Sequence, residues 1–234
     1  MRVGQRCAFA QPTTSETMIQ AILFDLDGLM VDSEPHSLAS WQAVLSLRGV
    51  VLEQTVIDRM FGLRQLEAAQ MLIQVYGLSD QPTMLAREKE EYQIDHLNGQ
   101  IKSMPGLFEL LPEIARHGLR TAVASSGARH YVHAVLQTIS LAGYFQTIIT
   151  GDDVTNGKPA PDIFLAAARA LQIEPQRCLV LEDAPSGVRA AKAAGMRCVA
   201  IPNDHTRALD LSSADLILPS LMAVRDTLAN LIAA

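Results

Sequence analysis

Residues 21–28 read Ala-Ile-Leu-Phe-Asp-Leu-Asp-Gly. Ala21-Ile22-Leu23-Phe24 is apolar at every position, and the run stops on two aspartates, Asp25 and Asp27. A strand that is apolar on successive residues must be covered on both faces, which is the environment of a parallel sheet between helices. The pattern recurs in Thr121-Ala122-Val123-Ala124, Thr147-Ile148-Ile149, Cys178-Leu179-Val180-Leu181, Cys198-Val199-Ala200-Ile201 and Leu216-Ile217-Leu218. Between these runs the apolar spacing turns helical: Gly106 to His117 before Gly118, alanine-rich Asp162 to Leu171, and Ser186 to Ala194 before Gly195, a natural C′ residue. This alternation predicts an α/β protein with a doubly wound, Rossmann-like parallel-sheet core.

One stretch interrupts the alternation. From about Glu34 to Ser103 there is no strand signal. Pro35 suits the first turn of a helix, and Trp41, Val44, Leu45 and Leu47 follow at helical spacing. Gly49, Gly62 and Gly77 punctuate three further helical patterns, the last rich in Glu and Lys. The expectation is a small all-helical cap domain over 34–103, inserted into a core made of 18–33 and 104–234, with Met104-Pro105-Gly106 marking the return. Residues 1–17 are polar and aperiodic; they read as a disordered extension, or else the native chain starts at Met18.

Of the 234 residues, 49% are hydrophobic and 19% charged, a composition that supports a packed fold and not disorder. A net charge of −6 argues against nucleic acid or an anionic membrane as partner, although local cations and a metal can still attract a phosphorylated substrate. No run reaches the roughly 18 apolar residues of a membrane helix. Ala8-Phe9-Ala10 lacks the apolar segment that precedes a secretory cleavage site. Cys7, Cys178 and Cys198 show no metal-binding spacing, so the expectations are a reducing, cytoplasmic compartment, no structural zinc, and core thiols at 178 and 198. A monomer is the default.

Doubly wound sheets bind ligands at the carboxyl ends of their strands. At those ends stand Asp25 and Asp27, then Ser125-Ser126-Gly127, then Glu182-Asp183, with Gly157-Lys158-Pro159 between the third and fourth runs. Carboxylates gathered in one place repel unless a cation sits among them, and hard oxygen donors suit Mg²⁺. A lysine adds fixed positive charge, while a serine hydroxyl and the amides of the Gly127 turn can hold a phosphoryl oxygen. One aspartate could attack phosphorus to form an aspartyl-phosphate. The second could protonate the leaving alkoxide and later activate water.

Phe24-Asp25-Leu26-Asp27-Gly28, Ser125 after its apolar strand, Gly157-Lys158-Pro159-Ala160-Pro161-Asp162 and Glu182-Asp183-Ala184-Pro185-Ser186-Gly187 resemble the four motifs of the haloacid dehalogenase superfamily. They stand in that family's order across nearly the whole chain, and the helical insertion resembles the cap of its β-phosphoglucomutase-like branch. The resemblance implies that Asp25 is nucleophile and metal ligand, and that Asp27 is the general acid/base with its backbone carbonyl on Mg²⁺. Ser125 and Lys158 would hold the phosphoryl group, with Ser126 either joining them or only supporting the turn. Asp183 would ligate the metal directly and Glu182 through water, while Gly28 would open the flap that joins core and cap.

The implied activity is Mg²⁺-dependent hydrolysis of a small phosphorylated metabolite, a sugar or sugar-alcohol phosphate. Dehalogenases of the superfamily lack the second aspartate, which Asp27 supplies here. A phosphosugar mutase is the alternative. Such mutases carry a cap histidine four residues before the tryptophan matching Trp41, where this chain has Ser37, with His36 one step away. They also carry a lysine soon after the serine, where this chain has Ser126-Gly127-Ala128-Arg129. A phospho-acceptor signalling domain is a remoter alternative, being much shorter and lacking both the paired aspartates and a cap. Within the cap, His36 and Arg64 are candidate substrate contacts and Trp41 is a core residue. Glu88-Lys89-Glu90-Glu91 reads as a solvated helix face, and His130, His133 and His205 as surface residues. Ser186 reads as a helix N-cap, with Gly187 allowing close packing.

Overall fold

The four apolar residues of β1 (Ala21–Phe24) are all buried, and β1 runs parallel between β4 (Arg120–Ala124) and β6 (Cys178–Glu182). The computed structural model describes residues 18–60, 63, 65–97 and 101–233, so the expectations for 1–17, Gly62 and Arg64 lie outside the described residues. With β5 (Thr147–Ile149), β7 (Arg197–Ala200) and β8 (Leu216–Ile217) the sheet has the order β5-β4-β1-β6-β7-β8, every pairing parallel. The chain leaves β1 toward β4 and β5, then returns to the other side of β1 as β6. That reversal opens a crevice at the carboxyl ends of β1 and β6.

Side chains of β1 alternate between two apolar layers, as the strand period of two requires. Ile22 and Phe24 pack with α5 (Leu107–Arg116), α6 (Arg129–Thr138) and α9 (Leu221–Ala233). Ala21 and Leu23 pack with α7 (Asp162–Leu171) and α8 (Pro185–Ala193). Cys178 and Cys198 are buried free thiols in this second layer, and burial pushes Cys178 up to about 12 and Cys198 above its usual range. Among the described residues, no helix is long and apolar enough to cross a membrane.

Between β1 and β4 the chain forms α1 (Glu34–Ser46), α2 (Gln54–Met60), α3 (Gln65–Tyr76) and α4 (Pro82–Asp95). These helices enclose a core of their own around Trp41, Leu45, Leu72 and Leu85. Arg48 fastens them by donating to Asp80 and Glu88, both at 2.6 Å. The chain enters and leaves this unit through β2 (Val31–Asp32) and β3 (Lys102–Ser103), a two-stranded antiparallel ribbon.

Three features differ from the sequence reading. Lys102 and Ser103 form a strand where no strand signal exists, because a two-residue ribbon is too short for alternation and forms where the two crossings lie side by side. Ser186 lies in the first turn of α8 and is not its N-cap, which is Ala184. Pro185 begins that helix because its missing N–H costs nothing there. Helices α6 and α9, for which no pattern was identified, pack against the sheet through Val132, Leu136, Val224 and Leu228.

The start of α5 docks on the start of α9 through Gly106, whose φ is +91° and whose Cβ would lie 2.5 Å from the Met222 backbone nitrogen. Backbone cannot rotate aside as a side chain can. Gly106→Ala is therefore expected to cost about 1–3 kcal/mol, read as a lower midpoint in urea unfolding. An unchanged midpoint would contradict the close approach.

Candidate active site

Phe24 and Leu181 are register partners on β1 and β6, so the next residues, Asp25 and Glu182, emerge side by side at the strand ends. Lys158, from the loop before α7, reaches between them. Its Nζ lies 2.5 Å from Asp25 Oδ1 and 2.8 Å from Glu182 Oε1, over the ring of Phe164 at 4.9 Å. Burial alone would push this ammonium down, but the two carboxylates overcome it and hold Lys158 above the usual lysine range. Both Glu182 oxygens are engaged, since its Oε2 accepts the Ala184 N–H at 2.8 Å. Gly187 makes room for it: a Cβ there would lie 1.5 Å from Glu182 Oε1. The glycine thus serves the close packing expected of it.

Asp183 follows at the same sheet edge and is also buried. Burial lifts the Asp25 carboxyl to about 7, with Glu182 and Asp27 adding repulsion that Lys158 only partly offsets. Burial, then Glu182 and Asp25, lift Asp183 well above the usual carboxylate range. Three buried carboxyl groups thus face one ammonium, an excess of negative charge that a bound cation would relieve. Among the described residues no three His, Cys, Asp or Glu side chains form a metal cage by themselves. Mg²⁺ does not require one, because it binds through one or two carboxylates and fills its shell with water and substrate phosphate. The hard oxygens of Asp25 and Asp183, short of positive charge, fit that ion.

Asp27 stands on the flap after β1, where its Oδ1 accepts the Tyr131 hydroxyl at 2.6 Å. Ser125 follows β4 directly and is 1% exposed. The Gly127 N–H, an expected ligand donor, points instead at Ser125 Oγ at 3.1 Å, so that oxygen accepts from the turn and keeps its own proton for donation. Asp25, Asp27, Ser125, Ser126, Lys158 and Asp183 all line one cleft of about 450 Å³. The cleft adjoins a cavity of about 970 Å³ beneath the helical unit, walled in part by Trp41, Met60, Leu66, Thr83, Lys89 and Tyr131.

Two residues at this site, Asn203 and Tyr131, went unread in the sequence, and a third, Lys89, was misread. Asn203, after β7, donates to the Gly28 carbonyl at 3.0 Å and to Asp183 Oδ2 at 2.8 Å, stitching the flap to the acidic edge. No motif surrounds it. Tyr131 has the i, i+4 apolar partner Val135 on α6 and reads as ordinary core. Lys89 sits in the charged run assigned to a solvated face, yet it is 3% exposed. Its Nζ donates to Ser37 Oγ at 2.9 Å and Gln93 Oε1 at 2.5 Å, near the ring of Trp41, and burial drops its ammonium to about 8. Glu88, Glu90 and Glu91 are at least partly accessible, so the run turns one residue inward.

The remaining cap candidates are placed as follows. His36 is buried in the helix packing with Nε2 2.8 Å from the Gln93 carbonyl oxygen, and it borders neither cavity. Arg64 lies outside the described residues. Trp41 is 3% exposed within the cap core. His130, His133 and His205 are exposed, His205 at the rim of the cleft.

A family model described as haloacid dehalogenase-like hydrolase matches residues 22–201. The fructose-1-phosphate phosphatase YqaB of Escherichia coli (strain K12) is 32% identical over 181 residues, covering 76% of this chain and 94% of the relative. The crystal structure of CbbY from Rhodobacter sphaeroides in complex with phosphate superposes with a TM-score of 0.79 at 28% identity, covering 88% of this chain and 96% of that one. The β-phosphoglucomutase of Clostridium difficile shares the fold, with a TM-score of 0.76 at 24% identity over 92% of this chain and 97% of that one.

Gly187→Ala would drive a methyl group into Glu182 and pull that carboxylate off Lys158. A loss of about 1–3 kcal/mol is expected from the overpacking alone, read as a lower midpoint in thermal unfolding; an unshifted melt would contradict it.

Proposed function

The chain belongs to the haloacid dehalogenase-like hydrolase family, and we propose that it is a Mg²⁺-dependent phosphatase that hydrolyses small sugar or sugar-alcohol phosphates through an aspartyl-phosphate on Asp25. The observation that carries this reading is one cleft holding Asp25 against Lys158, with Asp27 two residues on and Ser125 just after the adjacent strand.

Asp25 Oδ1 is engaged by Lys158, and among the described residues Oδ2 has no hydrogen-bond partner, which makes it the attacking oxygen. As the O–P bond to Asp25 forms, the ester P–O bond breaks and Asp27 gives its proton to the departing alkoxide. Asp27 then takes a proton from a water that attacks the acyl phosphate, releasing inorganic phosphate and restoring Asp25. Lys158 and the Ser125 hydroxyl hold phosphoryl oxygens during both displacements. Mg²⁺, held by Asp25, Asp183 and the Asp27 carbonyl, with Glu182 acting through water, would offset the charge on the phosphoryl group and the carboxylates.

Hydrolysis is favoured over mutase chemistry by two placements. The His36 ring is committed to the Gln93 carbonyl. Arg129 is committed to Asp153 at 2.5 Å and borders neither cavity. Neither residue borders a cavity in which it could take the place of the mutase histidine or lysine. The cap cavity, with apolar Trp41, Met60 and Leu66 beside polar Thr83 and Lys89, suits the C–H and O–H faces of a polyol. The sugar phosphate named for the Escherichia coli relative supports that class. Two buried free thiols favour a reducing, cytoplasmic setting, and the protein is read as a monomer.

Steady release of phosphate from p-nitrophenyl phosphate with Mg²⁺ tests the reading. Asp25→Asn is expected to abolish turnover, and normal hydrolysis by that variant would sink the mechanism. Asp27→Asn should slow sugar phosphates by about 10²–10⁴-fold, and the nitrophenyl ester much less, because that leaving group needs little protonation. A chelator should silence the enzyme reversibly; activity indifferent to it would remove the metal from the mechanism.

A further inference from the structure

We propose that Tyr131 is a positioning residue for Asp27, and that it is itself oriented from the helical cap by Lys89 through Gln93. The inference rests on the acid/base role proposed above for Asp27 and adds a physical tie between that role and the seating of α4.

The chain of contacts has only one possible polarity. A lysine ammonium has three N–H donors and no acceptor. The Gln93 atom 2.5 Å from Lys89 Nζ must therefore be the carbonyl oxygen Oε1, which fixes the orientation of the amide. Gln93 Nε2 is then left to donate toward the Tyr131 oxygen at 3.4 Å. A phenol has a single proton. With its oxygen receiving the amide, Tyr131 directs that proton onto Asp27 Oδ1 at 2.6 Å. Lys89, Gln93 and Tyr131 are each no more than 6% exposed, so little water competes for any of these positions.

The consequence falls on Asp27. Its Oδ1 is committed as an acceptor, and its carboxyl plane is held by that bond. Among the described residues Oδ2 has no hydrogen-bond partner, and Asp27 borders both the cleft and the cap cavity. Oδ2 is thus the oxygen left to exchange a proton with the leaving group and with water. The four residues come from two different units: Lys89 and Gln93 from α4, and Tyr131 on α6 and Asp27 after β1 from the core. Ser37 on α1 takes a second Lys89 proton at 2.9 Å and holds the ammonium in place. Ser33 on the flap is a further hydrogen-bond partner of the Tyr131 hydroxyl; if α4 lifts from α6, Gln93 leaves Tyr131 and that oxygen loses its donor from the cap.

Two near-isosteric variants test this, Tyr131→Phe and Gln93→Met, with kcat measured on p-nitrophenyl phosphate and on phenyl phosphate. The two substrates share a shape, but phenoxide is the poorer leaving group and depends more on the acid. Tyr131→Phe is expected to slow phenyl phosphate by about tenfold or more and the nitrophenyl ester by less than about twofold. Gln93→Met should shift the same ratio in the same direction by a smaller factor. Equal slowing of both esters by Tyr131→Phe, or none, overturns the positioning role. A ratio moved by Tyr131→Phe and untouched by Gln93→Met overturns the link to the cap. Should Tyr131→Phe fail to fold, as judged by circular dichroism, an unmoved ratio in Gln93→Met overturns the proposal by itself. Wild-type protein that hydrolyses neither ester would overturn the phosphatase reading, a failure distinct from an unchanged ratio in an active enzyme.

Discussion

A lysine ammonium buried between two carboxylates is the constraint on which this site depends. Lys158 can leave water only because Asp25 and Glu182 meet it at 2.5 and 2.8 Å. Removing one partner from such a group leaves an uncompensated charge in a low-dielectric interior, which typically destabilises by about 3–5 kcal/mol. Three chain segments distant in sequence must therefore arrive at one place. The parallel register of β1 with β6 delivers the two carboxylates, and the loop before α7 delivers the lysine. Small residues complete the fit: Gly187 beneath Glu182, and Gly28 against Asp183 and Asn203.

The same electrostatics divides the labour between the two parts of the molecule. At the sheet edge carboxyl groups outnumber ammonium groups, and the Asp25 carboxyl, raised by burial to about 7, is short of positive charge. An arrangement that needs a cation to ionise fully fits the Mg²⁺ proposed for it. On the cap side, the buried Lys89 is attracted by Asp27, Glu34 and Glu90, yet burial still depresses it to about 8. Its surroundings are polar and aromatic, not a ring of cations. The floor of the site is rich in buried charge, and the roof is polar and aromatic.

Legibility in the sequence followed how local each signal is. The strands around Asp25, Ser125 and Glu182 are apolar on both faces, so each announces itself within a few residues, and the catalytic candidates stand immediately after them. The helical insertion is legible for the same reason, from Pro35, the glycine breaks and the spacing of Trp41, Val44 and Leu45. Lys89 was misread because a charge between three glutamates carries no mark of facing inward; only the packing of α4 against α1 and α6 turns it there. Asn203 and Tyr131 stand in no motif. Their importance comes from what lies across a gap of many residues, Asp183 in one case and Asp27 in the other.

What the sequence determined by itself is the α/β core with a helical insertion, and the short list of groups able to do phosphoryl chemistry. Both depend on periodicity and on residues adjacent in the chain. What the tertiary structure decided is which of those groups meet and what holds them. It set Lys158 between Asp25 and Glu182, turned His36 into the cap interior, and ran a one-way line of hydrogen bonds from Lys89 to Asp27. Such contacts depend on the order of strands and the seating of helices, and on where burial removes water. No short stretch of residues encodes these.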